Sequence, residues 1–504
     1  MRCRQLKSTV VGLLALLAIV GLAAPRANAA DPIHVTFLHF NDAYELLPEA
    51  GKGGLAEAAT IVHNQRARNY NTIVTFGGDL LSPSYMSGLT RGSQMIDMLN
   101  GIGVDYATLG NHEFDFGPTV LRQRMAESQF TWLVTSVSED DGTAFGGGNT
   151  TAIRRIGPIT IGFFSVLSTD TSTRSNPGSH VHFLAPIVAA GEAVKALRAH
   201  GVDVVVALTH EPVADDKALI DQVPGIDLVL GGDDREPMMV QEQGVSIIKA
   251  GHDAEFLAVV DLTAQKDAGK VTVTVASHLV STLGAKPNAA LMTKIAGYND
   301  DVARQLSQHI ANLDSELDSR LAMVRGAEST MGDVIAEALR QATGADLAII
   351  NGGGIRGDKV YAAGSELIRK DIQAELPFAN MAVVIELTGQ QIQAALENGV
   401  SQFQDKAGRF PQVAGLGFSF NPNRPVGKRI VNVTVGGTAL DPKKTYKVAT
   451  NDFMSNGGDG YSMMTKAKRL DGAGEKLLTD IVADYLSAKG KIAQQPDGRI
   501  RQVQ

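Results

Sequence analysis

Five apolar runs in the first half of the chain each stop on residues that can supply a lone pair, and this repetition limits the fold more sharply than any bulk property. The run 72–76 is closed by Gly77-Gly78-Asp79. The run 35–40 ends at Asn41-Asp42, 106–109 at Gly110-Asn111-His112-Glu113, 204–208 at Thr209-His210-Glu211, and 226–230 at Gly231-Gly232-Asp233-Asp234-Arg235. Short apolar runs bounded by turn residues read as strands buried on both faces. One Gly-Asp after a strand is an ordinary turn or helix cap. Five are harder to dismiss: if the strands are parallel members of one sheet, their ends share the edge where open α/β sheets bind ligands. Asp42, Asp79, Asn111, His210 and Asp233 are then expected to converge as a metal site drawn from separate loops.

The start of the chain reads as an export signal rather than as part of the fold. Arg2, Arg4 and Lys7 precede an apolar run, 10–24, and Ala27-Asn28-Ala29 has the small-residue pattern of a cleavage site. The run is short for a membrane span, so residues 1–29 are expected to be removed and the mature protein to be periplasmic or secreted. The single cysteine, Cys3, leaves with that segment. An exported chain of about 475 residues without disulfides rests on core burial and is long enough for two domains. The net charge is −8 with no basic tract, which supports neither a nucleic-acid polymer nor a membrane surface as partner. A phosphate substrate stays compatible, because a bound cation supplies the positive field locally.

From residue 33 to about 276, strand-like runs alternate with helical stretches at 55–68, 93–99, 120–128 and 188–200, the pattern of a layered α/β domain. Closely spaced β-rich pieces at 152–164, 245–249, 256–262 and 270–276 suggest hairpins and two sheets packed face to face, a four-layer α/β/β/α arrangement rather than a plain dinucleotide fold. The glycines at 146–148 lack the spacing and helix of a phosphate-cradling loop. The polar segment 168–179 reads as a loop that could border a cleft, with a solvated surface loop the safer reading. Turn residues at 284–288 precede helical periodicity over 289–306, so the division is 30–285 for the first domain, 286–311 for a connector helix and 312–504 for a separate α+β domain. In that last part, 331–340, 388–398 and 474–488 read as helices, and 345–350, 384–387, 417–420 and 430–435 as strands.

The motifs, taken in order, resemble those of the secreted 5′-nucleotidases and UDP-sugar hydrolases, which join a calcineurin-like metallophosphoesterase domain to a C-terminal nucleotide-binding domain. The first half carries the resemblance in Asn41-Asp42, Gly78-Asp79, Gly110-Asn111-His112-Glu113, Thr209-His210 and Gly231-Gly232. The second half carries it in Asn351-Gly352-Gly353-Gly354-Ile355-Arg356, Leu376-Pro377-Phe378, Gly408-Arg409-Phe410-Pro411-Gln412-Val413 and Asn456-Gly457-Gly458-Asp459-Gly460.

The resemblance implies a two-metal centre in which Asp79 bridges, Asp42 binds one ion, and Asn111 and His210 bind the other. Mixed oxygen and nitrogen donors suit Mn²⁺, Zn²⁺, Co or Fe. It also implies that His112, paired with Asp115, steadies the phosphoryl group or the departing oxygen. Arg356 is implied to contact substrate oxygens, Phe410 and Tyr461 to sandwich the base, and Asn380 to make a polar contact. The chain departs from the family at two motifs. Asp-x-His becomes Asp42-Ala43-Tyr44, followed by Glu45, and Gly-His-x-His becomes Gly232-Asp233-Asp234-Arg235. Asp233 can still coordinate, whereas Arg235 has no lone pair to give but could clamp a phosphate and partly replace an ion electrostatically. One firm metal site is therefore expected, with a second that is weak or absent unless Tyr44, Glu45 or Asp234 substitutes. An arginine expected near Gln402 is also missing.

The expected activity is metal-dependent hydrolysis of a small-molecule nucleotide phosphoester, foremost a 5′-nucleotide. UDP-sugar and 2′,3′-cyclic nucleotide hydrolysis are the rival reactions, and a nucleotide-binding protein with weakened turnover is the rival class.

Overall fold

The computed structural model describes residues 31–267, 269–378, 380–470 and 476–504. The expected signal segment 1–29 lies outside the described residues.

The first part contains two six-stranded mixed sheets. One runs in the order Lys270–Ser281, Phe256–Asp267, Ile33–Phe40, Thr72–Phe76, Tyr106–Thr108, Thr131–Leu133. Its last four strands are parallel, and the first two form an antiparallel edge. The other runs Pro237–Glu242, Val245–Ala250, Leu228–Gly232, Val204–His210, Ile159–Leu167, Ala152–Ile156, with a parallel centre and a hairpin at each edge.

Period-two alternation explains the layering. Along the second sheet Phe163, Val204, Val206, Leu208, Leu228 and Leu230 join the core shared with the first sheet. Their neighbours Phe164, Val166, Val205, Ala207 and Val229 pack with Ala190, Ala193, Leu197, Leu219 and Ile220 of helices Pro186–Ala199 and Val213–Gln222. Both faces are thus apolar, as strands buried on two sides require. Tyr106 of the first sheet stacks on Phe163 of the second at 4.4 Å between ring centroids. Helices Leu55–Arg68 and Ser93–Ile102 bring Leu55, Ala59, Val62, Met95 and Leu99 to the same central core. The result is the expected α/β/β/α sandwich.

One expectation is corrected. The five donor-bearing strands do not share one sheet: Ile33–Phe40, Thr72–Phe76 and Tyr106–Thr108 belong to the first, Val204–His210 and Leu228–Gly232 to the second. The donors converge because the carboxyl ends of two facing sheets lie at one end of the sandwich. Apolar runs in sequence specify burial, not which sheet a strand joins.

Helix Ala289–Leu306 starts at an Asn288 cap that accepts from the amides of Ala290 and Leu291, and buries Leu291 and Ile295 in the first core. After it comes a five-stranded sheet, in the order Pro411–Ala414, Leu347–Asn351, Thr445–Asn451, Ala382–Thr388, Lys468–Arg469. Helices Thr330–Thr343 and Leu478–Lys489 share one apolar cluster with this sheet, and Gly389–Val400 shares another, together with a smaller four-stranded sheet. Met381 and Leu477 of this second part join the first part's core, so the two parts meet through apolar contact.

Candidate metal centre

The loop after Thr72–Phe76 carries the central carboxylate. Asp79 is only 3% exposed and takes a left-handed backbone, φ 64°. Asp42 and Asp233 do the same at φ 50° and 71°. Left-handed backbone costs an L-residue energy, least for Asp and Asn, and persists where the surroundings fix it. Here cross-loop bonds fix it: the Asp42 and Ala43 amides donate to the Gly78 and Asp79 carbonyls, both at 3.0 Å. Gly78, at φ 89°, must lack a side chain, since a Cβ there would stand 2.7 Å from His210 Nδ1 and 2.8 Å from the Gly110 nitrogen.

Glu113 locks the base of the site. Its buried carboxylate accepts from the amides of Asp79 at 2.9 Å, Leu80 at 2.6 Å and Leu81 at 3.3 Å, and from Gly110. Asn41 orients Asp42, donating to its Oδ2 at 2.7 Å. Lys249, wholly buried, reaches the carbonyls of Glu211 and Gly232 at 2.6 and 2.7 Å and so ties the His210 loop to the Asp233 loop.

Asp42, Asp79 and His210 place ligand atoms within 4.8 Å of one another. His210 Nδ1 lies 2.8 Å from the Gly77 carbonyl, which can only accept, so Nδ1 carries the proton and Nε2 faces the carboxylates. That Nε2 is 3.3 Å from Asp79 Oδ2 and 3.8 Å from Asp233 Oδ1. Neither it nor Asn111 Oδ1, also buried, has a hydrogen-bond partner among the described residues. Burial disfavours charge on the His210 ring, yet Asp79, Asp42 and Asp233 raise its pKa above the ordinary value. Burial conversely raises the pKa of Asp42, with Asp79 adding to it. Orphaned buried lone pairs and carboxylates that draw positive charge fit a divalent cation held by Asp42, Asp79 and His210.

His112 stands beside this cluster. Its Nδ1 is 2.7 Å from Asp115 Oδ2, and its Nε2 is 3.9 Å from Asp79 Oδ2. Burial opposes its protonation, but the bond to Asp115 and the Asp79 charge prevail and hold its pKa up at about 9. Ser175 Oγ donates to the other oxygen of Asp115 at 2.6 Å. Tyr44 donates its hydroxyl to Asp79 Oδ2 at 3.1 Å and Asp42 Oδ1 at 3.3 Å. Burial, with the charges of Asp79 and Asp42, pushes the Tyr44 phenol well above its ordinary pKa, which suits a neutral hydroxyl donating to these carboxylates.

The other substitutes considered for a second site turn elsewhere. Asp234 is taken by Lys249 at 2.8 Å and by the Val213 amide at 2.7 Å. Glu45 is exposed, and its amide, with that of Tyr44, donates to Asp253. Arg235 lies over the Tyr44 ring, 5.0 Å from its centroid, and 3.7 Å from Asp253. Asp233 remains near His210 but pairs with Arg174 at 3.0 Å.

A cleft of about 470 Å³ opens beside the cluster. The first part lines it with Ser82, Pro83, His112, Asp115 and Arg174, the second with Asn380, Asp452, Phe453, Asn456 and Gly458. Asn380 therefore faces the catalytic candidates. Phe410 and Tyr461 do not: both are 0% exposed, in a cluster with Phe403 and Phe420, and the Tyr461 hydroxyl donates to the Arg409 carbonyl at 2.6 Å. In this structure both are core aromatics enclosed by apolar neighbours rather than rings open to the cleft. Phe453, 45% exposed and on the cleft wall, offers the ring that they do not. Its sequence signal was its place in Asn451-Asp452-Phe453, just ahead of the glycine turn. Arg356 is exposed, 5.8 Å from the centroid of the half-exposed Phe378 ring, and is not among the residues that line this cleft.

Of the two readings of segment 168–179, the cleft-bordering one agrees with the structure and the solvated surface loop gives way: the segment contains the short helix Thr171–Arg174 and supplies Arg174 and Ser175 to the site.

Residues 35–256 match the calcineurin-like phosphoesterase family and residues 309–466 match the 5′-nucleotidase C-terminal domain. The chain is 28% identical to the trifunctional nucleotide phosphoesterase protein YfkN of Bacillus subtilis over 93% of its own length, but spans only 35% of that longer protein. It is 26% identical to the 5′-nucleotidase of Bos taurus, covering 96% of this chain and 94% of the relative. The crystal structure of a 5′-nucleotidase precursor from Thermus thermophilus matches with a TM-score of 0.55 at 28% identity, over 94% of this chain and 99% of that one. The Haemophilus influenzae NAD nucleotidase structure shares the fold, with a TM-score of 0.63 at 20% identity over 94% of this chain and 99% of that one. With both domains matched in order and the Asp42, Asp79, His210 triad in place, the chain has the two-domain architecture of the known 5′-nucleotidases, a calcineurin-like metallophosphoesterase domain followed by a 5′-nucleotidase C-terminal domain.

Proposed function

We propose that the protein hydrolyses the 5′-phosphate ester of a nucleotide at a centre holding one divalent ion. The observation that carries this reading is the 3.9 Å approach of the His112–Asp115 pair to Asp79 of the triad, on a cleft shared by both parts of the chain. A divalent ion held by Asp42, Asp79 and His210, with Asn111, supplies the charge that polarises a phosphoryl group and lowers the pKa of water. Asp115 fixes the ring of His112, so that Nε2 is turned toward Asp79 and donates to the phosphoryl or departing oxygen. Phe453 gives the base a face to stack on and Asn380 a polar contact, so the nucleoside is held from the second part while the phosphate meets the first.

Tyr44 supports a single ion. Its hydroxyl bridges Asp42 and Asp79 by hydrogen bonds, where the family pattern has a histidine two residues after the aspartate. The donors suit Mn²⁺, Zn²⁺, Co or Fe. The leader pattern supports export, and no helix among the described residues is long and apolar enough to cross a membrane.

The test is phosphate release from a nucleoside 5′-monophosphate, a UDP-sugar, a 2′,3′-cyclic nucleotide and an aryl phosphate, each with Mn²⁺, Zn²⁺, Co²⁺ and Fe²⁺. The 5′-monophosphate is expected to be the best substrate, and Asp79→Asn to remove the activity. Nucleotide binding without metal-dependent release would instead mark a binding protein.

A further inference from the structure

We propose that Arg174 is a further substrate-contacting residue, which exchanges the Asp233 carboxylate for an oxygen of the scissile phosphoryl group when substrate enters. The inference rests on the metal-dependent phosphohydrolase reading. Arg174 closes the helix Thr171–Arg174, and the next residue, Ser175, donates to Asp115 at 2.6 Å, which anchors the segment to the catalytic pair. Its Nη1 lies 3.0 Å from Asp233 Oδ1, an oxygen itself 3.8 Å from His210 Nε2. The guanidinium is thus one carboxylate away from the triad. It lines the same cleft as His112 and keeps 43% of its side chain exposed.

Charge balance gives this cation its role. Asp42, Asp79 and Asp233 against one divalent ion leave one negative charge, in front of which a phosphate dianion must settle. Asp115 and Asp452 line the cleft as well, and Arg174 is the one guanidinium among the lining residues, so it supplies positive charge where carboxylates are in excess. Arg235, the arginine that the sequence placed beside the centre, is committed to the Tyr44 ring and Asp253. A planar fork that already binds a carboxylate is suited to take phosphate oxygens in its place. Release of Asp233 then returns a carboxylate to the centre as the substrate arrives.

The experiment compares wild type, Arg174→Ala and Arg174→Lys by calorimetry, titrating Mn²⁺ into metal-stripped protein and inorganic phosphate into the Mn²⁺-loaded form, with kcat and KM for a nucleoside 5′-monophosphate. Arg174→Ala is expected to weaken phosphate binding roughly 10- to 100-fold and to raise KM, with Mn²⁺ affinity equal to wild type or tighter. Arg174→Lys is expected to recover part of the loss. Phosphate affinity within about twofold of wild type in both variants would overturn the inference alone. Loss of Mn²⁺ binding in both would also overturn it, making Arg174 a support of the centre. A Mn²⁺-loaded wild type that neither binds nor releases phosphate would overturn the functional reading and this inference with it.

Discussion

Tyr44 stands where the family pattern has a histidine, and the two side chains offer a metal centre opposite things. A histidine at that position offers a lone pair, whereas a neutral phenol offers a proton, and Asp42 and Asp79 accept it at 3.3 and 3.1 Å. Calorimetric titration with Mn²⁺ is expected to give one tight site per chain. Tyr44→His is expected to add a second, weaker event by restoring an imidazole between the same carboxylates. Two tight sites in the wild type would refute the single-ion centre. Residue types also account for what sequence reading reached here. Asp42, Asp79, Asn111 and His210 were legible because strand-end donors announce themselves. The role of Glu113 is not legible in its motif, because its work is to accept four loop amides that only the fold assembles. Arg174 lies in a polar segment legible as a possible cleft border, but nothing local singled out the residue itself.

At the scale of elements, buried strands ending in loops and amphipathic helices were legible from periodicity alone. Helix Thr330–Thr343 was expected over 331–340, and its ends are set by Ser329, which accepts from the Gly332 amide, and by Gly344 at φ 63°. The helix also buries Asp333 completely, 3.4 Å from Arg499 Nε. Burial is the main cause of its pKa rising to about 8, and Arg499 only partly offsets this. Because the folded form holds this proton more tightly than the unfolded chain, its stabilising contribution is full below about pH 4 and is lost as pH rises toward 8. Asp333→Asn is therefore expected to stabilise the second part at pH 8, by about 1–3 kcal/mol, and to flatten the pH dependence. Urea unfolding at pH 5 and pH 8 measures both.

At the scale of the whole molecule, the cleft exists only because two parts of the chain meet. Asp480 on helix Leu478–Lys489 accepts from Arg91 of the first part and from Arg369 of its own. Removing the carboxylate leaves two guanidinium groups facing each other. Asp480→Ala is expected to weaken the association of the two parts by on the order of 1 kcal/mol, given its partial exposure. It should raise amide exchange around 85–92 and 366–375, and lower turnover of a nucleotide more than of a small aryl phosphate, which needs no contact with Phe453 or Asn380. Unchanged exchange in both segments would show that Met381 and Leu477, buried in the first core, hold the parts together without it.

The amino-acid sequence by itself determined which segments are buried, where they end, and which side chains stand at those ends, because periodicity, turn chemistry and residue type are local properties. Tertiary structure alone decided that the donors come from two facing sheets rather than one. It also buried Phe410 and Tyr461, leaving Phe453 on the cleft, and brought Arg174 to Asp233 across 59 residues of chain. Those outcomes depend on how apolar faces pair across the core, and many distant residues share that choice.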